Sequence, residues 1–134
     1  MNEVPVVRHF IACLETVLSQ GGRGVTVHDL IHAIVRLPGE GFPCIRQKMA
    51  LFALLTNGRG SHDFALELTR FDRGVERLVH PRLRVGRLDL GQDPTVVHGL
   101  PIPLKNVVFP DAGQYAFHLI CDGQSIADEK ILVR

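Results

Sequence analysis

The stretch Gly113-Gln-Tyr-Ala-Phe-His-Leu-Ile-Cys121, followed by Asp122-Gly123 and then Ser125-Ile-Ala-Asp-Glu-Lys-Ile-Leu-Val133, decides the fold class. Tyr115, Phe117, Leu119 and Cys121 alternate with Ala116, His118 and Ile120, so the bulkier side chains share one face of a strand. Asp-Gly between two alternating runs predicts a hairpin, because a type I′ turn needs positive φ at both central residues. On the return strand, Ser125 to Val133, Ala127, Ile131 and Val133 share a face on which Glu129 is the misfit. Ile126 and Leu132 lie on the other face with Asp128 and Lys130.

Working outward, Leu100 to Pro110 is β-branched and aromatic, but Pro101 and Pro103 lack amide donors. The segment predicts an extended edge that becomes a strand from Leu104 to Phe109. Pro110 to Gly113 is then a turn. Met49 to Leu55 is a continuous apolar run, short enough for a buried strand. With Asn57-Gly-Arg-Gly60 and the alternating His62 to Thr69, it predicts a second hairpin. Asp72-Arg73-Gly74 marks the next turn, leading to strands at Val75 to Val79 and Leu83 to Leu90. Pro38 to Cys44 and Gly91 to Gly99 are irregular.

Toward the N-terminus, Val6 to Leu18 fits both a helical stripe (Phe10, Ile11, Leu14, Val17, Leu18) and an even spacing of Ile11, Cys13 and Val17. Gly21 to Gly24 interrupts the chain, and Val25 to Leu37 is rich in Val and Ile. Read as strands, both complete an all-β, two-sheet antiparallel sandwich of about seven to eight strands, formed by residues 1–134 as a single domain. The alternative is an α+β domain with an N-terminal helix.

The 134 residues suffice for one core without staples. A hydrophobic fraction of 46% and a charged fraction of 22% are those of a globular chain. A formal net charge of +1 and the absence of Trp argue against a nucleic-acid binder. Three cysteines, Cys13, Cys44 and Cys121, without paired spacing make neither a disulfide framework nor a zinc module. They suit reduced thiols in the cytoplasm. Glu3, Arg8 and Glu15 interrupt any signal-peptide core, and no apolar run is long enough to span a membrane.

Asp111-Ala-Gly113-x-Tyr115-x-Phe117 resembles the D-x-G-x-Y-x-C stretch of immunoglobulin-like domains, in which the Tyr hydroxyl bonds back to upstream main chain. Phe117 stands where the disulfide Cys would be. The wider pattern F-P-x-x-G-x-Y-x-F-x-L-x-x-D-G from Phe109 to Gly123, with the closing C-terminal strand and Val25-Thr-Val-His-Asp29, resembles an uncharacterised family of small bacterial proteins. The resemblance implies an immunoglobulin-like sandwich in a bacterial cytosol, and brings no catalytic residues.

Seven histidines invite a metal reading, and His28 and His32 are the only close pair. On a helix they would share a face. On a strand they stand roughly 13 Å apart, too far for one ion. His9, His62, His80, His98 and His118 are scattered singly. Cys44, in Gly41-Phe-Pro-Cys-Ile45, falls in an expected loop, where an exposed thiol near a base could be a nucleophile. Nothing in the sequence places a base beside it. Gly21 to Gly24 and Asn57 to Gly60 lack the P-loop pattern and read as hairpin turns. Arg70, Arg73, Arg77, Arg82, Arg84 and Arg87 tilt Thr69 to Leu88 toward basic, offset in part by Asp72, Glu76 and Asp89. A solvated strand face is expected there.

No residue is thereby assigned to catalysis, cofactor or metal. The expected role is a non-enzymatic interaction or assembly module that binds a protein partner or itself, and neither nucleic acid nor membrane. The alternative is a small ligand-binding or metal-dependent enzyme domain using His and Cys.

Overall fold

The structure, a computed structural model, describes residues 2–18 and 24–134. The strands are β1 (Val6–Leu18), β2 (Val25–Leu30), β3 (Ala33–Ile34), β4 (Cys44–Thr56), β5 (Ser61–Asp72), β6 (Val75–Leu78), β7 (Leu83–Asp89), β8 (His98–Phe109), β9 (Gly113–Cys121) and β10 (Gln124–Val133). They form a four-stranded sheet, β2-β1-β4-β8, and a six-stranded sheet, β3-β10-β9-β5-β6, with β7 also on β5. All pairings are antiparallel except β3 with β10. No helix occurs among the described residues, so the helical stripe of Val6–Leu18 is overridden. There Phe10 and Ala12 face the core at a period of two.

The core lies between the sheets. Met49, Leu51, Ala53 and Leu55 from β4 and Ile102 and Leu104 from β8 meet Phe64, Leu66 and Leu68 from β5 and Tyr115, Phe117 and Leu119 from β9. The C-terminal hairpin is as expected. Asp122 and Gly123 join β9 to β10 with φ of 49° and 87°. The second tight hairpin is Arg73-Gly74, at 51° and 78°.

Two expectations about the strands are corrected. Asn57 to Gly60 is not a hairpin turn, because β4 and β5 belong to different sheets and the segment carries the chain across the sandwich. Its glycines serve close packing: a Cβ on Gly58 would lie 2.4 Å from Leu90 Cδ1 and 2.9 Å from Pro5 Cβ. Of Gly21 to Gly24, residues 21–23 lie outside the described residues. Val25 to Leu37 is not one strand either. β2 pairs with β1, then Asp29 takes φ 55° and the chain changes sheet so that β3 pairs with β10. Ile31 N–H donates to Ala12 O at 2.8 Å on leaving the first sheet. This split and the early starts of β4, at Cys44, and of β8 are where the expected strand plan differs from the ten strands observed. β8 runs from His98, and its edge position tolerates Pro101 and Pro103.

Candidate functional site

The start and end of the central strand β9 are each pinned by a buried polar side chain. At the start, Tyr115 is fully buried and packs edge-on against Phe109, with ring centroids 5.2 Å apart. Its hydroxyl donates to Asp111 O at 2.7 Å and accepts from Asp111 N–H at 3.2 Å. This is the tyrosine corner that the Asp-x-Gly-x-Tyr spacing implies.

At the far end stands a group that no sequence spacing announced: His62, Cys121 and Asp122. The first strand residues of β5 bring His62 beneath the β9–β10 turn. His62 Nδ1 lies 2.6 Å from Asp122 Oδ2, and Nε2 lies 2.7 Å from Arg59 O. Both partners are acceptors, so both ring nitrogens donate and the ring is held as an imidazolium. Burial opposes that charge. The Asp122 carboxylate and the carbonyls of Arg59 and Glu3 outweigh it and raise the His62 pKa above its ordinary value. The bond from His62, then that from Asp63 N–H, lowers the pKa of Asp122. Cys121 is pushed up to about 11, first by burial and then by the Asp122 charge. Its thiol is therefore protonated at neutral pH, and cysteine nucleophilic chemistry has no thiolate to start from. One ligand atom from each of the three residues lies within 4.8 Å of the others. A cation placed there would have to displace the shared His62 proton and the thiol proton.

A second polar group lies on the outer face of the six-stranded sheet. Thr69 Oγ1 is 2.5 Å from Glu76 Oε1 and 3.1 Å from His118 Nε2, which also bonds Glu76. Ser125 Oγ stands 3.4 Å from His118 Nδ1. The order hydroxyl, imidazole, carboxylate is that of a hydrolytic triad. The Ser125 contact, however, is longer than the ~2.6–3.2 Å over which a general base takes a proton. None of these four side chains lines any of the five described clefts. The group anchors β6 and the β10 end to β9.

The sequence candidates are dispersed. His28 sits in β2 and His32 beyond its end, and neither belongs to the one metal-type grouping among the described residues. Cys44, expected in a loop, is instead the buried first residue of β4. Its pKa is raised, chiefly by burial, and its S–H lies 3.5 Å from Glu40 Oε1. Cys13 is likewise buried, with its pKa raised by burial. In the basic stretch, Arg70 pairs with Asp111, Arg82 with Glu67 and Arg87 with Asp63.

Two clefts complete the surface. One, of about 450 Å³, lies between the sheets beside β8 and is floored by Leu66, Leu68 and Phe117. The other, of about 640 Å³, is a groove where β2 gives way to β3, bordered by Leu14, Leu30, Val35, Leu37 and Ile45. No spacing draws either cleft, since each is assembled from strands far apart in the chain, although the first borders the basic stretch and the second the irregular segment from Pro38 to Cys44.

No curated protein matches the chain. The profile of a family of unknown function, DUF6941, matches residues 28–134, which takes in the second half of β2, every strand from β3 onward and all the groups above except Glu3 and the β1 residues. The chain therefore belongs to the DUF6941 family.

Proposed function

We propose that this protein is a non-enzymatic interaction module that docks a protein partner on the groove at the β2–β3 crossover. The observation that carries the reading is the clustering there of large aliphatic side chains in solvent. Leu30, Val35 and Leu37 are 64%, 58% and 67% exposed, and Leu14 and Ile45 beside them are also exposed. Single exposed aliphatics are ordinary, whereas a contiguous set ringed by polar groups has the anatomy of an interface. Asp29, Glu40, Arg46 and Lys48 supply that ring. β2 and β3 are the edge strands of their sheets. The groove is stiffened by Glu40, which accepts from Arg46 Nη1 at 3.1 Å and from Leu37 N–H at 3.1 Å.

Burial of all three thiols and full commitment of His62 favour a binding role over cysteine or histidine catalysis. Free cysteines also suit the reducing cytosol of a bacterial cell as the setting. Pairing of Arg70, Arg82 and Arg87 with acids takes up three of the six arginines of the basic stretch, which favours a protein partner over nucleic acid. No helix among the described residues is long and apolar enough to cross a membrane.

The test is a pull-down from the source cell with wild type and with the double variant Leu30→Asp, Leu37→Asp, alongside light scattering of the pure protein. Loss of a specific partner at unchanged melting temperature supports the reading. Capture that is indifferent to the double variant, or a clean monomer that recovers no partner, counts against it.

A further inference from the structure

The cleft beside β8 has a different character from the docking groove and is independent of it. Its floor reaches the core, at Leu66 and Leu68 of β5 and Phe117 of β9, and Leu83 forms part of its wall. A volume of about 450 Å³ falls in the ~300–1,000 Å³ range of small-molecule sites. No acidic residue lines it, and Lys105 at its mouth makes no ion pair among the described residues.

The backbone of β8 is distorted at this mouth. Asn106 has φ 53° in mid-strand, a left-handed conformation that asparagine tolerates and that interrupts the regular strand. The ladder to β4 runs Lys48 with Lys105 and Arg46 with Val107, passing over the Asn106 position. Burial changes parity there: Ile102 and Leu104 face the core before it, Val107 and Phe109 after it, and Lys105 and Asn106 are both exposed. The left-handed residue turns two consecutive side chains of the strand outward. Its effect is to set a lysine and an amide side by side at the rim of an apolar cavity. The lining also includes His80, whose Nε2–H donates to Val108 O at 3.0 Å and so fixes the ring.

We propose that this cleft binds a free single-chain aliphatic carboxylate. The chain lies against Leu66, Leu68 and Phe117, and the carboxylate meets the Lys105 ammonium and the Asn106 amide. The apolar floor selects an alkyl chain, and the unopposed cation selects an anionic head over a cationic or neutral one.

The experiment is calorimetric titration of the full chain with decanoate and dodecanoate below their micelle concentrations, with dodecyltrimethylammonium as the cationic control. One-to-one saturable binding is expected. Each added methylene should tighten it about fourfold, so dodecanoate, two methylenes longer, should bind roughly fifteenfold more tightly than decanoate. Lys105→Glu should weaken dodecanoate roughly five- to tenfold at unchanged melting temperature. Leu83→Trp, filling the cleft from its half-exposed wall, should abolish binding while leaving the fold intact. Absence of saturable binding, equal affinity for the cationic amphiphile, or indifference to both variants would overturn the proposal. So would binding to phosphatidylglycerol vesicles without binding to monomeric dodecanoate, which would place the surface on a membrane instead.

Discussion

The two ends of β9 do the same structural job with different chemistry. At Tyr115 a neutral hydroxyl reaches four residues back and is satisfied by the main chain of Asp111. At His62 a charged ring reaches across the sandwich's end, joining the β9–β10 turn to the connection between sheets through Asp122 and Arg59 O. The first device is local, encoded within one short motif, and carries no charge. The second joins residues sixty positions apart and depends on a proton. A neutral anchor is legible in sequence and stable to conditions, whereas an ionised anchor is neither.

The largest loss is expected at the neutral end. Tyr115→Ala removes a fully buried ring from contact with Phe109 and should cost roughly 3–5 kcal/mol through the cavity left behind. Denaturant unfolding measures it. A loss below about 1 kcal/mol would mean that the corner is not part of the core.

The charged end comes next. Asp122→Asn keeps a residue that tolerates the left-handed turn conformation and removes only the charge. Because the Asp122 side chain is 43% exposed, solvent discounts the pair, and a loss of about 1–2 kcal/mol near pH 6 is expected. The pH dependence follows from the two directions. The folded pKa of His62 is raised, so its contribution is complete below about 6.5 and is lost as pH rises through the folded value. The folded pKa of Asp122 is lowered, so its contribution is present above about 3.9 and is lost as pH falls through the folded value. The difference in stability between wild type and Asp122→Asn should therefore peak between those limits and shrink toward zero above the folded His62 value. A difference constant from pH 5 to 9 would show that His62 does not carry the proton.

Gly123 separates turn geometry from the His62 anchor beside it. A Cβ at Gly123 meets no atom within 4 Å, so a substitution there reports backbone strain alone. Gly123→Val at φ 87° should cost about 1–2 kcal/mol, more than Gly123→Asn, which accepts that region more readily. Melting curves of the two variants decide it. Equal stability would mean that the turn relaxes into another type.

What the sequence made legible follows the same division between local and distant. Asp122-Gly123, the alternation of β9 and the corner at Tyr115 all lie within one hairpin, where a period of two and positive-φ chemistry are sufficient signals. The parity change at Asn106 was also written in the chain: Ile102 and Leu104 fall on even positions, Val107 and Phe109 on odd ones. A single strand from Leu104 to Phe109 hides that slip. The partners of His62 and the burial of Cys44 in a strand were missed for another reason. Their environments are made by the β9–β10 turn and by Glu40, and no spacing along β5 or β4 predicts which loop folds over a strand end. Asn57 to Gly60 misled because glycine-rich turns look alike whether they join neighbours in a sheet or cross between sheets. Only the identity of the pairing partners, β8 for β4 and β9 for β5, tells the two apart.

The smallest expected effect is the most discriminating between the ends of β9. Tyr115→Phe keeps the ring and its edge-on packing with Phe109 and removes one oxygen. That oxygen both donates to Asp111 O and accepts from Asp111 N–H, so two main-chain groups lose a partner. Asp111 is an exposed turn residue and both bonds are only partly buried, which limits the penalty on the two groups. The cost should be about 0.5–1.5 kcal/mol, well short of the alanine truncation. Since no charge is involved, the same loss should be measured at pH 5 and pH 8, in contrast with Asp122→Asn. A Tyr115→Phe loss that varied with pH alongside that of Asp122→Asn would mean that the two ends are coupled through β9. A loss as large as that of Tyr115→Ala would assign the corner's stabilisation to its hydroxyl and not to its ring.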